Sequence, residues 1–377
     1  MDDVERAIVE RVTRDVATWF PGTRADLRVH LSTPAVRRRS RVYLISLGEP
    51  SAAPLLVAKA RNPHSALGRG PARRPTLSEA AVDEDELTDR EYAGLRLLEA
   101  TFRDDDPRFG AVRPLAHLPE HHTLLMQYVR GDSVRDLLLR SSRLRPSRSG
   151  GVTRRGGRGW HDLERVLPEV GAWLRRFHDA VPVSGYPVRQ STGRDVVAHF
   201  ATIEEFLGRR LGRRFGDLAG AGSALASEVL PSGSLPLAVG HGDFAPRNAL
   251  VDHEGRLVVL DPMVRWAVPE HEDLCRFLVG VRLLGLQLHS HGAAFGAATI
   301  EHWEDLVIAG YHPGRVPVAR LRCHQLLILL DKWSAVLEPA GVGGLRGAGH
   351  RLLQEAAVGY MRAQAEQLIV LARSADG

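Results

Sequence analysis

The segment from Ala238 to Asp261 carries side chains whose types and spacing could transfer a phosphoryl group. A loop holds Asp243 and Asn248, and an aliphatic strand over 257–260 leads into Asp261. Phosphoryl transfer needs a carboxylate that orients and deprotonates the attacking hydroxyl, and oxygen ligands that hold Mg²⁺ against the phosphates. Asp243 would be that base, while Asn248 and Asp261 would bind the metal, because Mg²⁺ prefers oxygen ligands and keeps several waters.

The D-x-x-x-x-N spacing is weak by itself, since it arises by accident in a chain with many aspartates. This chain, however, has only two asparagines, Asn62 and Asn248, and one of them lies at the required offset from Asp243. A turn asparagine is the structural alternative for Asn248, and a strand-end cap before Pro262 is the alternative for Asp261. The combination of His-Gly-Asp, the offset to asparagine and the strand that ends in aspartate favours the functional interpretation.

These segments also carry a family resemblance. The chain contains HGDFAPRNALV, then RLVVLDP and PEHEDLCRFL, which resemble the aminoglycoside phosphotransferase and choline kinase branch of the protein-kinase-like fold. The resemblance covers roughly Val42 to Phe277 and is sharp only in these motifs. It implies an ATP-dependent kinase with Asp243 as catalytic base, Asn248 and Asp261 as Mg²⁺ ligands, and His241 and Asp273 as structural supports of the catalytic loop. His241 could equally be a core histidine.

The implied fold class is α+β and bilobal, with an antiparallel sheet and one main helix in the N-terminal lobe and a larger, mostly helical C-terminal lobe. Two short aliphatic runs, Arg41 to Leu47 and Leu55 to Ala60, predict an antiparallel hairpin. The pattern predicts a helix from about Glu84 to Ala100 and a strand from Thr123 to Val129. We therefore predict a nucleotide-binding lobe at 1–129 and a catalytic and acceptor-binding lobe at 130–377.

The family resemblance further implies a strand lysine that pairs with the nucleotide phosphates and a helix glutamate that positions it. Lys59 lies in the strand LVAKA, and only it and Lys332 are lysines among 50 basic residues. A compact ammonium fits where a forked guanidinium does not, although a lysine that snorkels from the strand end is the alternative. Glu91 resembles the partner glutamate. Glu84, Glu86 and Asp89 are close enough to compete for that assignment, and an exposed helix-face charge is the structural alternative.

Two further nucleotide contacts follow from the resemblance. Strand 123–129 resembles the hinge that binds adenine through backbone groups of about Gln127 and Val129. The loop that covers the phosphates would be Thr33 to Ser40, in which the arginines and Ser40 offer hydrogen-bond donors to phosphate oxygens. This loop lacks the G-x-G-x-x-G pattern of protein kinases.

The acceptor is predicted to be the hydroxyl group of a small molecule. Asp261 is followed by Pro-Met and not by Phe-Gly, position 245 is alanine where protein kinases usually have lysine, and no A-P-E segment follows. The region 274–377 has eight acidic residues, ten basic ones and six histidines, whereas a pocket for polycationic aminoglycosides should be strongly acidic. We therefore expect a sugar, a glycoside, an antibiotic-like metabolite, or a phosphorylated or carboxylated metabolite. Candidate pocket residues are His289, His291, Trp303, Asp331 and Trp333, although each is more typical of core or surface than of a ligand site.

Composition limits the other possibilities. With 377 residues and 44% apolar content the chain can bury a large core. The N-terminal 20 residues lack the apolar segment of a secretory signal, and no apolar stretch is long enough to span a bilayer. Two cysteines fit a reducing compartment, which predicts a cytoplasmic protein.

Two other functional classes are alternatives to a kinase. A catalytically silent nucleotide-binding scaffold or regulatory protein is disfavoured because Lys59, Asp243, Asn248 and Asp261 are all present. A nucleic-acid-binding protein that uses the flexible Arg-rich loop at 140–159 ranks last, since the loop has no interleaved aromatic residues. That loop is either a solvated insertion or a contact for an anionic group. The sequence does not indicate an oligomeric state.

Overall fold

The computed structural model describes residues 1–24, 27–37, 40–61, 84–103, 106–142, 158–337 and 345–375. These residues form two compact units. The described part of the first unit falls within 1–61, 84–131 and 252–264, and that of the second within 132–251 and 265–375. The segment 252–264 therefore belongs to the first unit and brings Asp261 with it. The lobe division at Val129 stays a prediction.

The helices and strands that position the candidate residues have the following bounds. In chain order the helices are α1 (Asp3–Trp19), α2 (Glu84–Phe102), α3 (Val134–Arg140), α4 (Arg158–Ala180), α5 (Gly193–Leu211), α6 (Arg213–Val229), α7 (Glu272–Arg282), α8 (Gly285–His289), α9 (Ala297–Tyr311), α10 (Val318–Val336) and α11 (Leu345–Arg373). The strands are β1 (Val29–Leu31), β2 (Ala35–Val36), β3 (Ser40–Leu47), β4 (Leu56–Arg61), β5 (Phe109–Gly110), β6 (Pro114–Leu118), β7 (Thr123–Gln127), β8 (Gly131–Ser133), β9 (Leu237–Val239), β10 (Ala249–Asp252), β11 (Leu257–Val259) and β12 (Ala267–Pro269). None of the helices in the described ranges is both long enough and apolar enough to cross a membrane.

An antiparallel sheet forms the body of the first unit. Its strand order is β1-β3-β4-β7-β6, and β2 pairs with the edge of β3. The predicted hairpin is confirmed as the antiparallel pair β3–β4. The predicted helix is α2, which runs two residues further, and the predicted strand from Thr123 ends at Gln127. The α+β class with a sheet in the N-terminal part is therefore confirmed.

Alternation along β4 directs its charged side chains away from the core beneath α1. Leu56, Ala58 and Ala60 are fully buried and pack with the apolar face of α1. Successive strand residues point to opposite faces, so Lys59 and Arg61 lie on the other face. There the neighbouring strand β7 contributes Leu124 and Met126, which pack with Leu95 of α2 and with Val258 of β11. Lys59 and Arg61 consequently face the same side as α2 and the end of β11.

The second unit is mostly helical. In its helix α4 the apolar residues with helical spacing are all buried at 0–1% exposure: Leu163, Val166, Leu167, Val170, Trp173, Leu174 and Phe177. This helix packs against α9, while α5 packs against α6 and α10 against α11. Of the predicted Arg-rich loop at 140–159, residues 143–157 lie outside the described residues.

We predict that Gly94→Ala will destabilise the first unit. A Cβ atom at Gly94 of α2 would lie 2.9 Å from the Pro262 carbonyl oxygen and 3.0 Å from its Cβ and Cγ atoms. Overpacking of this kind costs about 1–3 kcal/mol, so the melting temperature should fall. The measurement is differential scanning calorimetry of the full-length protein.

The matched control is Gly359→Ala, in the middle of α11. An added Cβ atom there meets no atom of the described residues within 4 Å, and alanine is favoured over glycine in a helix by up to about 1 kcal/mol. The control should therefore leave the melting temperature unchanged or raise it. An equal response of the two variants would contradict the close approach between α2 and Pro262.

Candidate active site

Lys59 joins three separate segments of the first unit. Its Nζ atom donates to Glu91 Oε1 at 2.7 Å and to Asp261 Oδ1 at 2.8 Å. The lysine side chain is 14% exposed and Glu91 is 1% exposed, whereas Asp261 is 40% exposed. Burial would lower the pKa of Lys59, but the charges of Glu91 and Asp261 outweigh it and raise the pKa above its usual value. Glu91 is thus the carboxylate of α2 that meets the strand lysine.

Arg61 is a second cation in this cluster that the sequence analysis missed. Its Nη2 atom donates to Glu91 Oε2 at 2.6 Å, so each oxygen of Glu91 accepts from a different basic residue. Strand periodicity could have identified Arg61, because a residue two positions after Lys59 lies on the same face of the strand. Glu91 therefore balances a pair of adjacent cations, and Asp261 supplies the second negative charge.

Asp261 adopts an unusual backbone conformation. Its φ angle is +56°, in the left-handed region, which costs a non-glycine residue roughly 1–2 kcal/mol. Aspartate tolerates this region better than most residues. Burial would raise the pKa of the Asp261 carboxyl, but the neighbouring Lys59 ammonium lowers it below the usual value. The carboxylate is therefore held in its ionised form, just after the end of β11.

The loop with Asp243 lies in the second unit and begins with a glycine that its backbone requires. Gly242 has a φ angle of +85°, a conformation that side chains disfavour. The Asp243 carboxylate then accepts hydrogen bonds from Arg247 Nη2, at 2.6 Å to each oxygen, and from Asn248 Nδ2 at 2.9 Å to Oδ2. Asn248 Nδ2 also donates to the Asp243 carbonyl oxygen at 2.8 Å. Asn248 is thus placed beside Asp243, and Arg247 is a partner that sequence analysis missed.

Asp273, in the first turn of α7, anchors the start of this loop. Its carboxylate accepts from the backbone N–H of His241 at 2.5 Å and of Gly242 at 3.2 Å. Burial of this fully enclosed carboxyl would raise its pKa, but His178, His241 and Arg276 together lower it below the usual value. A negative charge at a helix N-terminus is also favoured by the helix dipole. The residues before Asp243 are therefore tied to α7 by their backbone.

Two histidines lie near Asp273 in different settings. The His241 ring is fully buried and makes edge contacts with Trp173, Phe177 and Phe244. His178, at the end of α4, has Nε2 3.7 Å from Asp273 Oδ2 and Nδ1 2.8 Å from the Tyr311 hydroxyl. His241 thus contributes its backbone to the loop anchor and its ring to an aromatic core. Its role as a support stays a prediction.

The residues predicted to contact adenine and the phosphates differ in burial and in backbone hydrogen bonding. The backbone N–H of Gln127 donates to the Arg113 carbonyl oxygen at 2.9 Å, and its side chain is exposed. Val129 is half-buried beside the core of α2 and β11, and its N–H has no hydrogen-bond partner within the described ranges. Ser40 begins β3 and is 7% exposed. Of its predicted loop, residues 38 and 39 lie outside the described part.

The residues named as candidates for an acceptor pocket separate into core and surface. Trp303 and Trp333 are 0% and 1% exposed, so the structure offers neither ring face to a sugar, and both belong to the core, which was the alternative for them. Asp331 is also buried, whereas His289 and His291 are exposed. Beside Asp331 on α10, burial lowers the pKa of Lys332, with Arg276 and Arg247 acting in the same direction and Asp243 in the opposite one. Lys332 is therefore an electrostatic neighbour of Asp243 that the sequence analysis did not assign.

The structure thus gathers the predicted residues into two groups, one in each unit. Lys59, Glu91 and Asp261 form the first group, and Asp243, Asn248, His241 and Asp273 form the second. Among the residues that the structure describes, no cluster of three or more His, Cys, Asp or Glu side chains could hold a metal ion by itself. A metal would therefore take part of its coordination from waters or from a bound ligand.

Comparison with known proteins finds similar solved structures but no similar sequence. The sequence matches no family model and no curated protein sequence. An ethanolamine kinase from Plasmodium vivax matches with a TM-score of 0.52 at 7% identity, over 94% of this chain and 88% of that chain. A choline kinase from Streptococcus pneumoniae matches with a TM-score of 0.50 at 11% identity, over 96% of this chain and 100% of that chain. A spectinomycin phosphotransferase, solved with ADP and spectinomycin, matches with a TM-score of 0.50 at 12% identity, over 96% and 98%.

This chain has the protein-kinase-like fold. The likeness predicted from the His-Gly-Asp and Leu-Asp-Pro motifs is confirmed at the level of fold. At such low identity the similarity establishes the architecture, and the roles of single residues rest on the contacts described above.

We predict that Glu91→Gln will destabilise the protein by about 3 kcal/mol, because it leaves two largely buried cations with one carboxylate. The measurement is the free energy of unfolding of the first unit, from urea denaturation at neutral pH. Glu86→Gln is the control on the same helix. Glu86 is 57% exposed and pairs with Arg90, so its loss should cost less than about 1 kcal/mol. Equal costs for the two variants would contradict the charge balance assigned to Glu91.

We predict that Asp273→Asn will lower the melting temperature by about 5 °C at pH 7, because two backbone N–H groups lose a charged acceptor. The pKa of Asp273 is lowered on folding, so its contribution to stability is fully present above the unfolded value of about 3.9. That contribution is lost as pH falls through the folded-state value. The difference between wild type and variant should consequently shrink below about pH 4.

The control for this pH series is Asp179→Asn. Asp179 is 56% exposed and pairs with Arg175 on the surface of α4, so its effect should be small at every pH. A difference for Asp273→Asn that stays constant from pH 7 to strongly acidic conditions would rule out a charged Asp273 as the anchor of the loop.

Proposed function

We propose that this protein is an ATP- and Mg²⁺-dependent phosphotransferase that moves the γ-phosphate to a hydroxyl group of a small molecule. The reaction forms a bond between the acceptor oxygen and the γ-phosphorus as the bond to the β,γ-bridging oxygen breaks. ADP leaves with the electron pair, and the hydroxyl proton passes to Asp243, which later releases it to solvent. The kinase-like fold and the chemistry of the two residue groups support this assignment.

The first unit supplies the nucleotide contacts. Lys59 donates to the phosphate oxygens, and Glu91 holds its ammonium in place through the 2.7 Å ion pair. The backbone near Gln127 and Val129 binds adenine, for which the N–H of Val129 is a donor without a partner in the described part of the chain. Ser40, at the start of β3, borders the phosphates. ATP as substrate and two buried free cysteines fit a cytoplasmic enzyme.

Asn248 and Asp261 fit Mg²⁺ by the chemistry of their donor atoms. Asn248 uses its amide nitrogen on Asp243, which leaves its amide oxygen as a hard ligand. Asp261 is an ionised carboxylate with a side chain that is 40% exposed. Mg²⁺ takes one or two protein oxygens and completes its shell with waters and phosphates. When bound, the ion would neutralise charge on the β- and γ-phosphates.

The observation that carries the proposal is the arrangement of the Asp243 carboxylate. It is one-third exposed, it is oriented by Asn248 from its own loop, and the loop is anchored by Asp273 through two backbone N–H groups. A general base needs this combination of access and fixed orientation. Positioning of the acceptor hydroxyl against the phosphate then supplies much of the rate enhancement.

We infer a neutral or anionic acceptor, such as a sugar, a glycoside or an antibiotic-like metabolite. In the second unit Arg247 contacts Asp243, and Lys332 is affected by the charges of both Asp243 and Asp331. This mixed environment does not favour a polycation. The similar structures include a glucosamine kinase solved with glucosamine, ADP and phosphate, with a TM-score of 0.50 at 16% identity, which supports a small hydroxylated molecule as the class of acceptor.

The test is a panel of acceptors incubated with labelled ATP, Mg²⁺ and the full-length protein. The panel contains neutral sugars, glycosides, phosphorylated and carboxylated sugars, aminoglycosides and macrolides. We expect transfer to a neutral or anionic member that stops when the metal is chelated. Asp243→Asn should lower kcat by about 10²–10⁴-fold, because the general base is lost, while ADP binding measured by calorimetry is retained.

The matched control is Asp217→Asn on an exposed position of α6, which should keep wild-type turnover. Transfer by Asp243→Asn at the wild-type rate would overturn the role of Asp243. Nucleotide binding by the wild type without transfer to any member of the panel would instead favour a catalytically silent nucleotide-binding protein.

A further inference from the structure

Arg247 makes the most direct contact with the Asp243 carboxylate. One guanidinium nitrogen, Nη2, donates to both carboxylate oxygens at 2.6 Å. The arginine lies four residues after Asp243 in the same loop, and its side chain is 54% exposed. Nothing in the phosphotransferase motif D-x-x-x-x-N requires an arginine at this offset. The contact between Arg247 and Asp243 is therefore a feature of this chain and not of the motif.

The loop otherwise lacks a cation next to its base. Position 245, two residues after Asp243, is an alanine that is 7% exposed, where protein kinases usually have a lysine. Phosphoryl transfer develops negative charge on the equatorial oxygens of the moving group, and a cation there stabilises the transition state. Arg247 brings a permanent positive charge to the place that Ala245 leaves without one.

The hydrogen bonds of Asp243 leave room for an acceptor at one oxygen. A carboxylate offers about four lone-pair positions. Oδ2 accepts from both Arg247 and Asn248, whereas Oδ1 accepts from Arg247 alone. Within the described ranges, Oδ1 is thus the oxygen that can still receive the proton of an acceptor hydroxyl.

The guanidinium also keeps donors for a second group. Arginine has five N–H bonds, and the two on Nη2 are directed at Asp243. No residue in the described part of the chain accepts from Nε or Nη1 of Arg247, and the side chain is more than half exposed. A hydroxyl bound to Asp243 Oδ1 would lie about 2.6–3.2 Å from that oxygen. The remaining donors would then lie near the oxygens of the phosphoryl group whose phosphorus this hydroxyl attacks.

We propose that Arg247 is a catalytic residue that orients the Asp243 carboxylate and donates hydrogen bonds to the phosphoryl group during its transfer. This inference rests on the proposed phosphotransferase function and adds a residue to it. The planar fork of arginine suits the role, because it can contact a carboxylate with one nitrogen and a phosphate with the others. Arg247 forms no covalent bond, and the atoms exchanged in the reaction are unchanged.

The test compares the full-length wild type with Arg247→Ala and Arg247→Lys, using Mg·ATP and the acceptor that gives the highest turnover in the panel above. Arg247→Ala should lower kcat by about 10²-fold with little change in KM for the acceptor, because the contact acts in the transition state. Arg247→Lys should fall between the two, since it keeps the charge and loses the fork. Guanidinium chloride at low millimolar concentration should restore part of the kcat of Arg247→Ala, and sodium chloride at equal ionic strength should not.

The control is Arg209→Ala on α5. Arg209 is 59% exposed and pairs with Glu205 at the same four-residue spacing, so its replacement should leave kcat unchanged and insensitive to guanidinium. An Arg247→Ala kcat equal to or above that of wild type, or a loss that guanidinium does not restore, would overturn the proposal while the phosphotransferase function stands. A wild type that phosphorylates no member of the panel would overturn both.

Discussion

The shared ammonium of Lys59 is the interaction on which the first unit depends. A buried cation is tolerated only where its lost hydration is replaced by paired charges, and here Glu91 of α2 and Asp261 after β11 both supply them. These partners lie 32 and 202 residues away in the chain. The ammonium of Lys59 therefore fixes the relative positions of β4, α2 and the segment 252–264.

That geometry includes a strained residue. The left-handed backbone of Asp261 costs free energy that its ion pair with Lys59 offsets. Pro262 follows at once and lies so close to Gly94 that α2 has no room for a side chain there. The apolar contact of α2 with Pro262 and the ionic contact of Glu91 with Lys59 thus act on the same short segment. Together they fix the direction in which the Asp261 carboxylate points, as its proposed role as a metal ligand requires.

Local patterns in the sequence predicted much of this arrangement. Aliphatic runs separated by turn residues predicted the β3–β4 hairpin, helical spacing predicted α2, and the rarity of lysine singled out Lys59. Asn248 was identified for the same reason of rarity. Arg61 and Arg247 escaped notice because arginine is so common in this chain that no single one stands out. The contacts of His178 with Asp273 and Tyr311 were not predicted, because these partners are 95 and 133 residues away and come together through helix packing.

The partners of Lys59 and Arg247 suit the shape of each cation. Of 50 basic residues only Lys59 and Lys332 are lysines, so lysine persists where arginine is otherwise the rule. Lys59 is 14% exposed between two carboxylates, a place for a compact ammonium. Arg247 is 54% exposed and contacts both oxygens of one carboxylate through a single nitrogen, which leaves the other donors of its guanidinium for a second group. Lys59 thus joins two carboxylates from different segments of the chain, whereas Arg247 contacts a single carboxylate of its own loop.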